Sequence, residues 1–336
     1  MAMKKLINDP NKVSEELFEG FMAAYAKRFN LRRVENYTVA VRNDIAPGRV
    51  AILTGGGSGH EPIFLKMLGP GMADVAVCGG IFAAPAPDPI VAGAKAAGRG
   101  AGVFMIHGNY AGDNMNFDMA NEILTDEGIK TYALRVWDDV ASAPRERMHE
   151  RRGVTADIFL LKLAGALAEE GASLAEMIPI MERARHNCRS MGVALTSATI
   201  PQTGKPTFTL ADDEMEIGIG AHGEPGVGRE KIATADDTCR RMMEMIVADL
   251  PFKRGDEVAL MVNSMGATTL MELYIMTREA HRVLGAMGIE VYDTRVGEYF
   301  TCQEMAGCYI TLMKLDDELK PLYDAPVHTP DYFCVP

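Results

Sequence analysis

The chain has 336 residues, of which 48% are hydrophobic and 24% charged, and its formal net charge is −12 at pH 7. This composition is typical of a folded globular protein and excludes a disordered or fibrous one. The negative charge argues against nucleic acid as a partner, and no apolar run reaches the ~18 residues of a membrane span. The six cysteines lack CxxC spacing and no secretory leader is apparent. We therefore expect a soluble, cytoplasmic protein without a bound metal.

In chain order, the sequence first predicts a helix over residues 12–30 and then an alternation of strands and helices. Four short β-prone runs each end in a loop or turn, at 50–54, 73–78, 102–107 and 130–136. Helical patterns accompany them at 86–99, 114–127 and 154–170. Such alternation predicts an α/β sandwich in which ligands bind at the carboxyl ends of the strands.

A helix over about 174–190 leads into a second half with a different order of elements. Here the sequence predicts strands at 193–200, 215–220, 257–263, 290–295 and 308–314, and helices at 236–249 and 269–287. The last two strands have little helix between them, which predicts antiparallel pairing and a mixed sheet. The predicted fold class is α/β, with two α/β domains at 1–188 and 189–336. Each would have a mixed or parallel sheet flanked by helices.

The first candidate site is the run Gly55–Pro62, which follows a strand and has four glycines in five positions before His60. Such a backbone can approach a small ligand closely and turn its amides inward. It lacks the lysine of a Walker loop, and His60 stands where a dinucleotide fingerprint needs glycine. On this run alone, a tight turn with a capping histidine is as good an interpretation as a functional site.

Two later loops carry the other candidates. Asp113 follows the third strand near a helix start, where capping is the more common role and a base aimed at a substrate hydroxyl is the alternative. His222 lies among small residues in the run Gly218–Gly226, which leaves one face of its imidazole open. It could be packed in a turn, bind a metal with Glu224, move a proton or attack an electrophilic carbon. The local sequence leaves these roles open.

Seven segments spread over nearly the whole chain share the pattern of one known family. They are Met3–Asp9, Gly55–Pro62, Asn109–Asp113, Gly204–Leu210, Met215–Gly220, His222–Gly226 and Asp324–Pro330. In this order they resemble the dihydroxyacetone kinase family, and within it the substrate-binding subunit, DhaK. The resemblance implies a kinase subunit with its active site between two domains.

The same resemblance implies a role for each candidate residue. His222 matches the covalent histidine, which adds to the carbonyl of a short ketose, forms a hemiaminal and so discriminates against polyols such as glycerol. His60 matches the acid/base histidine, and Asp113 matches the carboxylate that takes the proton of the hydroxyl being phosphorylated. Three residues match the family's backbone cradle around the substrate: Gly57, Ser58 and Gly59.

Partners are also implied by the resemblance. The chain ends soon after the substrate-subunit segment, so we expect no cofactor on this chain and a nucleotide site, ATP or ADP with Mg²⁺, on a separate DhaL subunit. The phosphate would come from ATP or from a phosphotransferase-system protein of the DhaM type. The family further implies a homodimer.

Two departures from the family pattern bear on the substrate. Gly108 stands where members acting on dihydroxyacetone have a lysine, and glycine both removes a donor and leaves room. Gly80, Ala83 and Ala84 replace an acidic residue and two hydroxyl residues. Both changes predict a looser pocket for a larger ketose, such as erythrulose or apulose, in place of or beside dihydroxyacetone. His107 is predicted to point to the opposite face from residue 108.

Two other functions compete with the kinase subunit. Some relatives bind the ketose but act as transcriptional co-activators. The joint presence of His60, Asp113 and His222 favours the enzyme, because a sensor has no need of a base. The second alternative is a nucleotide-dependent oxidoreductase on a doubly wound sheet. The dinucleotide-binding pattern needs glycine where His60 stands, which argues against this alternative.

Overall fold

Two six-stranded sheets organise the chain, of which a computed structural model describes residues 4–250 and 252–334. The helices are α1 (Val13–Tyr25), α2 (Pro87–Ala97), α3 (Ala111–Asp126), α4 (Ala156–Glu169), α5 (Leu174–His186), α6 (Ala235–Asp249), α7 (Leu270–Met287) and α8 (Leu319–Asp324). Two short 3-10 helices lie at Leu65–Met67 and Arg145–Glu150. Among the described residues, no helix has the length and apolar character needed to cross a bilayer.

The first sheet contains the four strands predicted in the first half and two more at its edge. Its strands are β1 (Leu31–Arg33), β2 (Val39–Arg42), β3 (Ala51–Ser58), β4 (Val75–Ile81), β5 (Val103–Gly108) and β6 (Thr131–Val136). Their order is β1-β2-β4-β3-β5-β6, in which β3 to β6 are parallel and β2 pairs antiparallel with both β1 and β4. The loops after β4, β3 and β5 therefore emerge side by side at one edge, where a ligand site is expected.

The second sheet is mixed, as predicted, but its pairing differs in one respect. Its strands are β7 (Cys188–Ala194), β10 (Glu214–Ile217), β11 (Gly228–Lys231), β12 (Glu257–Ser264), β13 (Glu290–Gly297) and β14 (Gly307–Leu315), in the order β11-β10-β7-β14-β12-β13. The predicted pairing of the last two of these strands is wrong. Both pair with β12 instead, β13 in parallel and β14 antiparallel. The connection between them crosses β12 and carries residues 298–306 towards the first sheet.

Several element boundaries differ from the predicted ones. The helix predicted over 12–30 ends at Tyr25, and the one predicted over 174–190 ends at His186 because β7 starts at Cys188. Every residue of β7 is buried, which fits its central position in the second sheet. Short strands also form two ribbons outside the sheets, β8 (Thr199–Ile200) with β9 (Lys205–Pro206) and β15 (Val327–His328) with β16 (Phe333–Cys334).

Helix α4 joins the two sheets. It is buried over 156–168, as an almost entirely apolar helix must be, and it contacts β3 and β5 on one side and β7 and β14 on the other. Asp138 holds the chain at its start by accepting hydrogen bonds from the amides of Val154 and Ala156, at 2.8 and 2.9 Å. The α/β class with helices flanking two sheets is thus confirmed, while the division at 188 and 189 stays a prediction.

Candidate active site

An open cavity, whose empty space of about 310 Å³ includes the solvent at its mouth, lies between the edge of the first sheet and the loops of the second. Its wall is formed by Gly55, Gly56, Gly57, His60, Phe64, Gly108, Tyr110, Asp113, Gly153, Asp157, His222 and Phe300. The structure thus brings together His60, Asp113 and His222, which are far apart in the sequence. It also places Gly57 and Gly108 beside them.

Glycine is required where β3 enters the cavity wall. A Cβ atom on Gly56 would lie 2.6 Å from the ring of Phe64, and one on Gly57 would lie 2.7 Å from the amide nitrogen of Ala83. Both distances are too short for a side chain. The backbone of this loop therefore lies closer to its neighbours, and to any molecule in the cavity, than another residue would allow.

The other two predicted cradle residues are adjacent to the cavity but outside its wall. The hydroxyl of Ser58 donates to the carbonyl oxygen of Gly79 at 2.7 Å, which ties β3 to β4. Gly59 has a φ of +99°, a conformation that favours glycine, and its amide donates to the carboxylate of Glu61. These two residues shape the turn that places His60.

His60 is held rigidly in the cavity wall. Its ring is 3% exposed and stacks between Phe82 and Phe300, with ring centroids 4.8 and 4.9 Å away. Its Nδ1 lies 2.7 Å from the carbonyl oxygen of Thr301, in the connection between β13 and β14. Because a carbonyl oxygen can only accept, Nδ1 carries a proton and Nε2 faces the cavity.

His222 is oriented in the same manner by Glu224. Its Nδ1 lies 2.7 Å from Oε1 of Glu224, and its amide donates to Oε2 of the same carboxylate at 2.9 Å. Burial acts to raise the pKa of Glu224, but the hydrogen bonds and charge of His222 outweigh it and lower the pKa to about 2. The ionised carboxylate therefore fixes the proton of His222 on Nδ1 and leaves Nε2 towards the cavity.

The Nε2 atoms of His60 and His222 are 3.1 Å apart, which has a consequence for their protonation. Each ring already donates through Nδ1, so the contact is a hydrogen bond only when one proton lies between the two Nε2 atoms. Burial, with a smaller contribution from the charge of His222, lowers the pKa of His60 to about 3. His60 is therefore neutral near pH 7, with the lone pair of its Nε2 directed at the cavity.

Asp113 is the third residue of α3, beyond the N-cap position, which Tyr110 occupies. Capping, the more common role considered for this residue, is thus not the role it has. Its side chain is buried, and within the described part of the chain its Oδ1 has no hydrogen-bond partner. Burial, opposed by the charge of His222, raises the pKa of Asp113 to about 6. A carboxyl in this state can take up a proton near neutral pH.

The structure modifies the expectation for Gly108. A Cβ atom at this position would lie 3.2 Å from the ring of Tyr110, so the room that glycine leaves is small. Gly80 and Ala83 lie outside the cavity wall, and their lost polar groups do not enlarge it. As predicted, the side chain of His107 points to the opposite face from residue 108. It is buried and stacks on Phe117, with ring centroids 4.2 Å apart.

Sequence reasoning missed Asp157 and Tyr110, which both belong to the cavity wall. The signal for Asp157 was an acidic residue at the start of the mostly apolar helix α4. Tyr110 stands in the loop before Asp113, with its ring edge-on to His222 at 4.8 Å. Over residues 4–250 and 252–334, no three His, Cys, Asp or Glu side chains are grouped closely enough to hold a metal ion.

Sequence comparisons assign the chain to one family, and a solved structure of similar sequence shares its fold. A family model described as the Dak1 domain matches residues 19–331. The chain is 43% identical to the dihydroxyacetone-binding subunit DhaK of a PTS-dependent dihydroxyacetone kinase from Listeria innocua, over 94% of this chain and 95% of that protein. It is 39% identical to a D-erythrulose kinase from Mycolicibacterium smegmatis, over 98% of this chain but 56% of that protein. A solved structure of the dihydroxyacetone kinase operon co-activator Dha-DhaQ is similar with a TM-score of 0.89 and 31% identity, over 95% of this chain and 98% of that one.

Proposed function

The chain belongs to the Dak1 family, and from that premise we propose that it is the ketose-binding subunit of a dihydroxyacetone-type kinase. One observation carries this proposal: the facing Nε2 atoms of His60 and His222, 3.1 Å apart, share a cavity with Asp113, whose Oδ1 has no hydrogen-bond partner among the described residues. A nucleophile, a proton donor and a base in one cavity can hold a carbonyl compound and activate one of its hydroxyls. The ketose is dihydroxyacetone or a larger one such as erythrulose or apulose.

The geometry supports nucleophilic addition of His222 to the carbonyl group of the ketose. When one proton lies between the two Nε2 atoms, its transfer to His60 as the ketose enters frees the lone pair on Nε2 of His222. That lone pair forms a bond to the carbonyl carbon, and the electron pair of the C=O double bond moves to oxygen. The oxygen then takes the proton from His60. The product is a hemiaminal, and a polyol without a carbonyl cannot form it.

Glu224 supports this step by its charge. The hemiaminal leaves His222 substituted on Nε2 and protonated on Nδ1, so the ring is an imidazolium. The carboxylate 2.7 Å from Nδ1 neutralises this cation. Glu224 is therefore a positioning residue that favours the adduct without touching the ketose.

Replacing Glu224 with glutamine is expected to weaken the ketose adduct by about 10-fold or more, because a charge-assisted hydrogen bond becomes a neutral one. Titration of the adduct by intact mass spectrometry measures this change. The matched control is Glu230→Gln, which alters an exposed glutamate on β11. Equal adduct affinity in Glu224→Gln and in the unaltered protein would contradict the role of the carboxylate.

Asp113 is the residue we assign to the phosphoryl transfer. Its carboxylate accepts the proton of a ketose hydroxyl while that oxygen forms its bond to phosphorus and the phosphate leaves its donor. We propose that the phosphate donor is bound by a DhaL-type partner, which holds ATP or ADP with Mg²⁺. Phosphate then originates from ATP or from a DhaM-type protein. The PTS-dependent relative that is itself a separate binding subunit supports this division.

The proposed protein is a homodimer in a reducing compartment. The family resemblance supports a homodimer of this subunit. A reducing compartment such as the cytoplasm is supported by the thiols: Cys78, Cys188, Cys239, Cys302 and Cys308 are free and buried.

Reconstitution tests the function. The chain is combined with a DhaL-type subunit, a phosphate donor and one of dihydroxyacetone, D-erythrulose, L-erythrulose or glycerol, and the phosphorylated sugar is measured. We expect turnover that needs both chains and a ketose, with none on glycerol. The similarity to Dha-DhaQ favours a second candidate, a ketose-sensing co-activator. That candidate predicts a ketose adduct but no phosphoryl transfer with any partner or donor.

A further inference from the structure

Asp157 is a buried carboxyl that the proposed chemistry leaves unused. It is the second residue of α4, is 1% exposed and lies in the cavity wall with Gly108, Gly153 and Asp113. Among the described residues its Oδ1 has no hydrogen-bond partner. Buried polar atoms in folded proteins are nearly always paired, so an unpaired one on a residue of a cavity wall indicates a missing ligand group.

The surroundings of Asp157 favour its neutral form. Burial, then the charges of Asp138 and Asp113, raise the pKa of Asp157 well above its ordinary value. Burial also raises the pKa of Asp138, but hydrogen bonds from two amides and from Ser190 oppose that shift. A neutral carboxylic acid can both donate and accept a hydrogen bond, as a sugar hydroxyl does.

The number of unpartnered groups indicates how many hydroxyls the site is built to bind. Within the described ranges, three polar side chains of the wall have an unpartnered atom: the hydroxyl of Tyr110 and Oδ1 of Asp113 and Asp157. The carbonyl is taken by His60 and His222. A three-carbon ketose then offers two hydroxyls for three groups, whereas a four-carbon ketose offers three.

We propose that Asp157 is a specificity-determining residue, which binds a hydroxyl of a ketose with four or more carbons and makes such a ketose the preferred substrate. The inference rests on the proposed function, because it takes the carbonyl to be bound at His222. A site built to bind a hydroxyl discriminates strongly against an analogue that lacks it, since a buried polar group is then left unpaired. Asp157 thus supplies from α4 a polar contact that Gly108 cannot.

Adduct affinities test this inference without a partner protein. Intact mass titrations give dissociation constants for dihydroxyacetone, D-erythrulose and L-erythrulose. We expect one erythrulose enantiomer to bind about 10-fold tighter than dihydroxyacetone, or more. Asp157→Leu keeps the approximate shape without hydrogen bonding and should reduce this preference at least about 10-fold. Asp157→Asn keeps a neutral donor and acceptor and should retain most of the preference for erythrulose. Asp157→Ala repeats the test in case the leucine variant does not fold.

The possible results separate the two proposals. If the unaltered protein forms no adduct with any ketose, the proposed function fails and the inference with it. If adducts form but dihydroxyacetone binds as tightly as both erythruloses, or if Asp157→Leu and Asp157→Ala keep the preference, only the role of Asp157 is overturned. A preference lost in Leu, Ala and Asn alike would also overturn it, because the neutral amide would then fail to replace the acid.

Discussion

Replacing His222 with alanine is expected to eliminate the ketose adduct and to lower kcat/KM for phosphorylation by about 1,000-fold or more. The covalent bond holds a small, flexible molecule in one orientation, and lost orientation of this kind can cost several orders of magnitude in rate. In the unaltered protein the mass should increase by the whole mass of the ketose, because addition to a carbonyl expels no water. An increase smaller by one water would indicate an imine on a lysine instead.

The control for this experiment is His281→Ala, which removes an exposed imidazole on α7 that bonds to Thr294. It should keep both the adduct and the activity. Thermal unfolding of each variant establishes that the fold is retained. An adduct that persists in His222→Ala would contradict the assignment, and its most direct explanation would be attack by His60, whose Nε2 is 3.1 Å from that of His222.

Much of the fold could be predicted because its central strands are short buried runs that end in glycine or polar loops. Their hydrophobic pattern is local and can be read directly from the sequence. Strand β11 could not be predicted in this way, since all four of its residues are exposed and polar or glycine. The positions of β13 and β14 on either side of β12 depend on contacts between distant segments, which local pattern does not encode.

The site could be predicted in part for the same reason. The residues His60, Asp113 and His222 stand in distinctive loops, and the family resemblance assigns them roles. Their arrangement could not be predicted, because the tautomer of His60 depends on the carbonyl of Thr301, 241 residues later in the chain. Asp157 was missed because the sequence around it indicates only a buried helix.

Asp113→Asn is expected to lower kcat by about 100- to 10,000-fold while the ketose adduct still forms. The amide has nearly the shape of the carboxylate but cannot take up a proton, and positioned general bases contribute rate factors of this size. Steady-state turnover of the reconstituted kinase and mass titration of the adduct measure the two quantities separately. The matched control is Asp88→Asn, because Asp88 also lies in the first turn of a helix, α2, but is exposed and outside the cavity.

The dependence of kcat on pH provides a second test of Asp113. Burial raises the pKa of Asp113 to about 6, and only the ionised form can accept the hydroxyl proton. Turnover should therefore rise with pH through about 6 and then level off, with about a tenfold loss one pH unit below that value. In Asp113→Asn the residual rate should lose this inflection. An inflection near pH 6 that survives the substitution would assign the base to another residue.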